Sequence, residues 1–251
     1  MRRHAVVCAA LCLGLIGSAS LAEGPAPMTP EERDAFRAEV KAYLMENPEV
    51  LVEAMSILQE REYAAELERD AQIIAAKSAE IFASPADWVG GNVDGDITVV
   101  EFMDYRCSYC RKAHDEVKTL VETDGNIRYV IKEFPILGPE SLVPSQFAIA
   151  VRMLHGDDAY KAAHDALMTL RGEPTLDTVK RLATDLGHDP APILAKMESD
   201  EVKAIITANH ALADAMAISG TPTFIVQDTM MRGYVPLDGM QAIVAELRAE
   251  G

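Results

Sequence analysis

Cysteine is scarce in this chain, and the positions of the few cysteines are informative. The 251 residues contain four, of which Cys8 and Cys12 lie near the start, while Cys107 and Cys110 are separated by only two residues. So few cysteines exclude a fold held by a framework of disulfides, and the core must therefore be held by packing. The close pair is a candidate for chemistry.

Long apolar runs are also missing. The most apolar stretch, residues 5–16, is shorter than the roughly 20 residues that a membrane-spanning helix needs, so we expect no stable membrane insertion. This stretch follows arginines at positions 2 and 3 and precedes Ser-Leu-Ala at 20–22, an order typical of a cleavable export signal. We therefore predict that residues 1–22 are a signal peptide and that the mature protein is periplasmic.

Basic residues are strongly outnumbered. After residues 1–22 are set aside, 21 Lys and Arg face 40 Asp and Glu, which gives a net charge of −19. Such a surface repels the phosphates of nucleic acids and of anionic lipids, so nucleic-acid partners are excluded. With 49% hydrophobic residues, the chain is long enough for one domain with a core and an appendage.

The first part of the mature chain, residues 23–90, is predicted to be helical. Residues 29–32 (Thr-Pro-Glu-Glu) combine an N-cap threonine, a proline at the first helical position and a capping-box glutamate. Asn47-Pro48 ends this helix and begins a second, which is predicted to run to about Phe82. The apolar seam of the second helix includes Ile57, Ala64, Leu67, Ala71, Ile74 and Ile81.

A narrow apolar seam on a long helix needs a partner, and two partners remain possible. The seam can pack on another copy of the chain, which predicts a homo-oligomer through residues 29–82. Alternatively, it can fold back on the rest of its own chain, residues 91–251. The sequence alone does not distinguish the two.

Residues 91–251 are predicted to form an α/β unit, with Gly90-Gly91-Asn92 as the hinge before it. Its first strand, helix and second strand are typical of a βαβ unit. The predicted elements are strand 97–103, helix 107–122, strand 127–134, a helix-rich block at about 140–217, strand 223–226, strand 231–235 and a last helix at 237–248.

The sequence Cys-Ser-Tyr-Cys at 107–110 falls at a predicted helix start. There the Cys107 sulfur would meet unpaired backbone N–H groups and the positive end of the helix dipole, which favour the thiolate. Cys110, one turn later, would be more buried and act as the resolving thiol. A structural disulfide is a weaker explanation, since so short a loop constrains the unfolded chain little. Further positive charge is expected from Arg106, Arg111 and Lys112.

Two segments together resemble known families. A strand leading into a Cys-x-x-Cys helix, a second strand, an inserted helical block, and Gly-Thr-Pro-Thr at 220–223 before a hairpin resemble the DsbA-type branch of the thioredoxin superfamily. The helix-Asn-Pro-helix segment FRAEVKAYLMENPEVLVEAM resembles the N-terminal stalk of ScsC proteins, suppressors of copper sensitivity. The resemblance implies a thioredoxin fold with an inserted helical domain, preceded by a helical oligomerisation stalk. It implies no cofactor besides a redox-active Cys107–Cys110 disulfide.

The resemblance also implies roles for residues outside the cysteine pair. Glu101 matches the family's buried carboxylate beneath the cysteines and would take the proton of Cys110, with Lys132 on the adjoining strand as its candidate partner. The alternative is that both side chains face solvent at a strand end. Pro222 matches the family's cis-proline, which leaves the backbone of Thr221 free to pair with an extended substrate.

The residues between the cysteines bear on the direction of the reaction. Ser108 and Tyr109 stand where the family's strongest oxidants have Pro-His, which should lower the potential from about −120 mV towards roughly −270 mV. Threonine before Pro222 resembles the isomerase members. We therefore expect a disulfide isomerase or reductase of misoxidised exported proteins, kept reduced by a membrane thiol reductase of the DsbD or ScsB type. A DsbA-like oxidase is an alternative.

A second class of function uses the same cysteines. Cys107 and Cys110 offer soft ligands for Cu(I), and His114 follows at helical spacing, so a copper-tolerance carrier is possible. Such a histidine more often lies on the solvated face of its helix. The histidines at 155, 164, 188 and 210 show no ligand spacing.

Overall fold

The structure, a computed structural model, describes residues 28–250. The predicted signal peptide, with Cys8 and Cys12, lies outside this part. The chain forms two compact units, one ending at Gln59 and the other beginning at Glu60. Within residues 28–250, no helix is long and apolar enough to span a bilayer.

The N-terminal unit begins with helix α1, Pro30–Glu46. The predicted capping box is present: Thr29 Oγ1 accepts from the Glu32 N–H, and the Glu32 carboxylate accepts from the Thr29 N–H. Asn47 ends the helix, and its N–H donates to the carbonyl of Tyr43. Every residue of α1 is exposed or half-buried.

The remaining elements follow the predicted order, except for one strand that was not predicted, a break in the second helix and differences at the element ends. They are α2 Glu49–Ala76, α3 Ser78–Phe82, β1 Trp88–Gly91, β2 Ile97–Met103, α4 Ser108–Asp124, β3 Ile127–Glu133, a 3-10 turn Pro139–Ser141, α5 Leu142–His155, α6 Asp157–Met168, α7 Leu176–Asp185, α8 Pro190–Met197, α9 Asp200–Ala215, β4 Thr223–Val226, β5 Thr229–Arg232 and α10 Leu237–Glu250.

The five strands form one mixed sheet in the order β1-β3-β2-β4-β5. Strands β2 and β3 are parallel, and the other pairs are antiparallel. This is the predicted thioredoxin fold, with α5–α9 as the inserted helical block. The last strand was predicted at 231–235 but spans Thr229–Arg232. It starts two residues earlier because a tight turn at Gln227, with φ of 54°, joins it directly to β4.

Strand β1 was not predicted, since Gly90-Gly91 was interpreted as a hinge. It pairs antiparallel with β3 at the edge of the sheet, and Trp88 stacks on Tyr160 with ring centroids 5.7 Å apart. Gly91 has φ of 68°, and a Cβ there would lie 2.4 Å from the carbonyl oxygen of Ile127. The glycine therefore permits a close approach of two strands.

The predicted helix 48–82 is interrupted at Lys77, which separates α2 from α3. Part of its seam packs within the second unit: Ile74 and Ile81 are buried with Val100 and Phe102 of β2. Asp70, also buried, holds Arg232 through two hydrogen bonds of 2.6 and 2.8 Å. For this part of the seam, folding back on the catalytic domain is the correct alternative. By contrast, Ile57 is 43% exposed.

Candidate active site

The cysteine pair lies where strand β2 leads into helix α4. Cys107 is the N-cap residue of α4, Cys110 is in its first turn, and both are buried free thiols. Asp104 builds the preceding turn, since its carbonyl accepts from the Cys107 N–H at 3.0 Å. Its carboxylate accepts from the backbone N–H groups of Arg106, Ile136 and Leu137 at 2.8 to 3.0 Å.

The two thiols have opposite acidities. A hydrogen bond from Cys110 is the main cause that lowers the pKa of Cys107 to about 5, against the effect of burial, with help from Thr221 and from the N–H groups of Cys110 and Tyr109. Burial, the hydrogen bond to Cys107 and the nearby Glu101 raise the pKa of Cys110 far above its ordinary value. The site therefore holds one thiolate and one thiol at neutral pH.

The basic side chains near Cys107, which were expected to favour its thiolate, have other partners. Arg106 pairs with Glu173 at 3.1 Å and donates to the carbonyl of Leu137 at 2.8 Å. Arg111 donates to the carbonyl oxygens of Met168 and Leu170 in the inserted block. Lys112 lies over the Tyr234 ring, 4.1 Å from its centroid. Each of these cations has its own partner, and the main causes that lower the pKa of Cys107 are the hydrogen bonds at its own sulfur.

The Thr-Pro segment lies against the first cysteine. The Thr221–Pro222 peptide bond is cis. Sγ of Cys107 lies 3.2 Å from the carbonyl oxygen of Thr221, at hydrogen-bond geometry for the thiol. Positions 114 residues apart along the chain thus meet at one site.

Glu101 is buried, which excludes the alternative that it faces solvent. Burial raises its pKa to about 7, the hydrogen bond from the Tyr129 hydroxyl lowers it, and the charge of Cys107 adds to the rise. Oε2 accepts that hydrogen bond, whereas Oε1 has no partner among the described residues. A carboxyl group with a pKa near 7 can both accept and return a proton at neutral pH.

Lys132 is not the partner of Glu101, and this expectation was wrong. In the parallel pairing of β2 and β3, Glu101 lies opposite Ile131 and Phe102 lies opposite Lys132, so the two side chains leave opposite faces of the sheet. Lys132 is buried on the other face, where its ammonium contacts the Asp87 carboxylate and the Glu80 carbonyl. It anchors the segment that joins α3 to β1.

Sequence reasoning missed a second buried acid. Oε1 of Glu133 accepts from the hydroxyls of Tyr105 at 2.8 Å and Tyr160 at 2.7 Å, and burial raises its pKa to about 7. Glu133 stands at the end of an apolar strand, much as Glu101 stands within one. An acidic residue in an apolar strand is the sequence signal that could have identified it. Tyr129 was also missed, although the strand pairing places it diagonally across from Glu101.

The histidines also differ from expectation. His114 is buried rather than solvated, and its ring lies 5.2 Å from that of His164. In residues 28–250, the only group of three or more His, Cys, Asp or Glu with metal-binding geometry is His114, His164 and Asp165. Because this group contains neither cysteine, a three-ligand Cu(I) site of Cys107, Cys110 and His114 is not present.

Comparison with protein families places the chain. Residues 83–246, more than half of its length, match the family model described as thioredoxin. The chain belongs to the thioredoxin family. Residues 32–65 match the model of the copper resistance protein ScsC N-terminal domain, as the stalk resemblance predicted.

Solved structures agree with this placement. A thioredoxin-like oxidoreductase from Silicibacter pomeroyi is 40% identical, with a TM-score of 0.65, over 68% of this chain and 97% of the relative. BcfH from Salmonella enterica Typhimurium is 28% identical, with a TM-score of 0.72, over 86% of this chain and 95% of that protein.

Curated relatives show the same domain in other contexts. A Rickettsia conorii protein whose assigned name is protein-disulfide oxidoreductase is 26% identical over 59% of this chain and 56% of the relative. The Na⁺/H⁺ antiporter NhaA 1 of Salinispora arenicola is 30% identical over 63% of this chain. The chain spans only 24% of that antiporter's length, about a quarter.

Proposed function

We propose that this protein is an exported thiol-disulfide oxidoreductase that reduces or isomerises wrong disulfides in periplasmic proteins. The observation that carries the proposal is the placement of the two free thiols: Cys107 is the N-cap residue of α4 with its Sγ 3.2 Å from the Thr221 carbonyl oxygen, and Cys110 is buried in the first turn. This placement agrees with a pKa lowered for Cys107 and raised for Cys110. The pair needs no further cofactor, because the electrons are carried by the two sulfurs.

Cys107 is the attacking residue. Its thiolate attacks one sulfur of a substrate disulfide, the substrate S–S bond breaks, and the second substrate sulfur leaves as a thiolate. In reduction, Glu101 takes the proton of Cys110, whose sulfur attacks the mixed disulfide and releases the substrate, leaving a Cys107–Cys110 disulfide. In isomerisation, another substrate thiolate attacks the mixed disulfide, forms a new substrate disulfide and restores the Cys107 thiolate.

The substrate is held beside the Thr-Pro segment. Because the Thr221 carbonyl lies 3.2 Å from Sγ of Cys107, an extended chain paired with this backbone would bring its sulfur to the nucleophile. Ser108 and Tyr109 between the cysteines, with Thr221 before Pro222, favour an isomerase or reductase over an oxidase. A membrane thiol reductase is then required to return electrons to the pair.

The helical N-terminal region supports homo-oligomerisation. Twelve of the nineteen exposed large apolar side chains among the described residues lie between residues 28 and 67, and several copies of the chain could cover them. The interface was expected to span residues 29–82. Because Ile74 and Ile81 are buried within the second unit, we now expect it to lie in the N-terminal part of that range. The exposed side chains between residues 28 and 67 are Met28, Phe36, Val40, Tyr43, Met45, Leu51, Val52, Met55, Ile57, Leu58, Tyr63 and Leu67.

A Cu(I) carrier is the second candidate. The lowered pKa of Cys107 supplies a thiolate ligand at neutral pH, and residues 32–65 match a domain named for copper resistance. In this alternative, the cysteine pair alone would hold the ion.

A scrambled-disulfide assay tests the proposal. The reduced mature protein, in a glutathione buffer, is expected to restore activity to scrambled ribonuclease at substoichiometric concentration. In the same buffer, the protein should oxidise fully reduced ribonuclease more slowly than it restores the scrambled form. Failure to recover active ribonuclease, combined with Cu(I) retained against the glutathione buffer, would favour the carrier instead.

Replacing Glu101 by Gln is expected to slow the resolving step about 100-fold, because the proton acceptor for Cys110 is lost while size is kept. In the wild type, the rate should rise through an inflection near pH 7, where Glu101 ionises. The variant should lack this inflection. Stopped-flow measurement of mixed-disulfide decay between pH 5 and 9 gives both results.

Glu133→Gln is the matched control, since burial raises the pKa of both acids to about 7. The native state then binds protons more tightly than the unfolded state, so stability falls as pH rises from the ordinary carboxyl value of 4.5 to about 7. Either substitution should therefore raise the free energy of unfolding above pH 7 by about 3 kcal/mol. Only Glu101→Gln should alter the exchange rate. If both variants slowed exchange equally, the slower rate would come from the loss of a buried carboxyl group in general and not from the loss of the proton acceptor Glu101.

A further inference from the structure

Two buried histidines from different helices meet an aspartate in the second unit. His114 lies on α4, about one turn after Cys110, and His164 lies on α6 of the inserted block. Asp165 follows His164, and its Oδ1 lies 3.3 Å from Nε2 of His114. One ligand atom from each of the three residues lies within 4.8 Å of the others.

The hydrogen bonds around His164 fix one of its nitrogens and leave the other open. The Tyr105 hydroxyl donates to Glu133 at 2.8 Å and lies 3.1 Å from Nδ1 of His164, so its oxygen can accept from a protonated Nδ1. In this tautomer, Nε2 carries a lone pair, and no described residue donates to it. A metal-ligating histidine is oriented in the same way, with its second nitrogen bonded to a polar partner.

Asp165 presents one oxygen to the histidines. Its Oδ2 contacts the Lys161 ammonium, whereas Oδ1 is buried, makes no hydrogen bond of good geometry among the described residues and lies 3.3 Å from Nε2 of His114. A cation between this oxygen and the imidazole would offset the cost of burying the carboxylate. Lys161 and the exposed Lys118 are the two other cations beside the histidines. Lys161 is already paired through the other oxygen of Asp165.

The spacing and the surroundings favour zinc. Tetrahedral Zn²⁺ with bonds of about 2.0 to 2.1 Å holds neighbouring ligand atoms about 3.3 Å apart. The His114–Asp165 distance of 3.3 Å already has this value, and since all three ligand atoms lie within 4.8 Å of one another, the remaining distances require only a side-chain adjustment. A cavity of about 140 Å³, lined by His114 and His164, gives room for water as a fourth ligand.

We propose that His114, His164 and Asp165 form a binding site for a divalent cation, with Zn²⁺ as the best match. The site is separate from the cysteine pair. The ion would connect α4, which carries the cysteines, to α6 of the inserted block. Binding therefore stabilises the folded protein and fixes the catalytic helix against its neighbour.

The test is a calorimetric titration of the full mature protein with ZnCl₂. The Cys107–Cys110 pair is oxidised first, so that thiolates cannot bind the ion and the result does not depend on exchange activity. One Zn²⁺ per chain is expected, with a rise in melting temperature. Co²⁺ should give the visible absorption bands of a four- or five-coordinate site with nitrogen and oxygen ligands.

Asp165→Asn is the decisive variant, because it keeps the size of a partly exposed side chain while removing its charge. It should weaken Zn²⁺ binding roughly 10- to 100-fold, as should His164→Gln if that variant folds. His188→Gln is the matched control, since it breaks an outlying pair, His155 and His188, whose rings stack at 4.0 Å. Undetectable Zn²⁺ binding, binding unchanged in Asp165→Asn, or loss in His188→Gln alone would overturn the proposal.

Discussion

Cys107→Ser is expected to lower disulfide exchange by several orders of magnitude, because it removes the nucleophile itself. Cys110→Ser should instead accumulate covalent mixed disulfides with substrate proteins, since the attacking thiolate remains and the resolving thiol is gone. The two variants are incubated with a reducible client and separated by non-reducing electrophoresis. Alkylation of both wild-type thiols at equal rates at pH 7 would contradict the division of roles.

A second pair of variants tests why Cys107 is acidic. The largest cause of its lowered pKa is the hydrogen bond from Cys110. Cys110→Ala removes that donor and should raise the pKa of Cys107 from about 5, whereas Cys110→Ser keeps a donor and should change it less. Thiolate absorbance at 240 nm, followed against pH, reports this value directly. If the pKa of Cys107 were the same in Cys110→Ala and Cys110→Ser, its acidity would come from Thr221 and from the N–H groups at the start of α4 instead.

The asymmetry of the pair was visible in the sequence, because it follows from position along one helix. A cysteine at the N-cap meets free N–H groups, and a cysteine one turn later turns into the core. Arg106 and Arg111 each have carbonyl partners distant in sequence, and neither is among the main causes that lower the pKa of Cys107. Local position was predictable, whereas long side chains choose partners that only the fold supplies.

The error over Lys132 has a different origin. Strands β2 and β3 were both predicted, and their pairing begins with Ile97 opposite Ile127. From those starts, Glu101 and Lys132 fall on positions of opposite parity and therefore on opposite faces. The information was present in the sequence once the register was known. Register depends on the packing of both faces, so strand prediction alone does not provide it.

The meeting of His114 with His164 lies beyond any local pattern. The two residues belong to separate helices, and their distance depends on how the inserted block packs on the catalytic helix. The buried position of His114 was not evident either, because α4 is covered from both sides by parts of the chain distant in sequence. Helical spacing shows which residues share a face, but not what covers that face.

Deleting residues 23–59 is expected to leave a folded monomer that retains the cysteine pair and oxidises reduced substrates. Deleting residues 23–82 should destabilise the same domain strongly. The longer deletion removes Ile74 and Ile81 from the core and breaks the pairing of Asp70 with Arg232. Loss of a single buried isoleucine side chain costs about 2 to 5 kcal/mol, so two such losses approach the whole stability of a domain.

The shorter deletion also separates the oligomer from the catalysis. Several active sites joined through residues 29–59 raise their effective concentration around one misfolded client, which repeated isomerisation requires and a single oxidation does not. The shortened protein should therefore lose isomerase activity while keeping its melting temperature and its oxidation rate. Light scattering gives the mass, and denaturant unfolding gives the stability of each form. A monomeric full-length protein would contradict the role of residues 29–59 in the oligomer. Equal stability of the two shortened proteins would contradict the role of residues 60–82, because these residues would then contribute nothing to the core in which their isoleucines are buried.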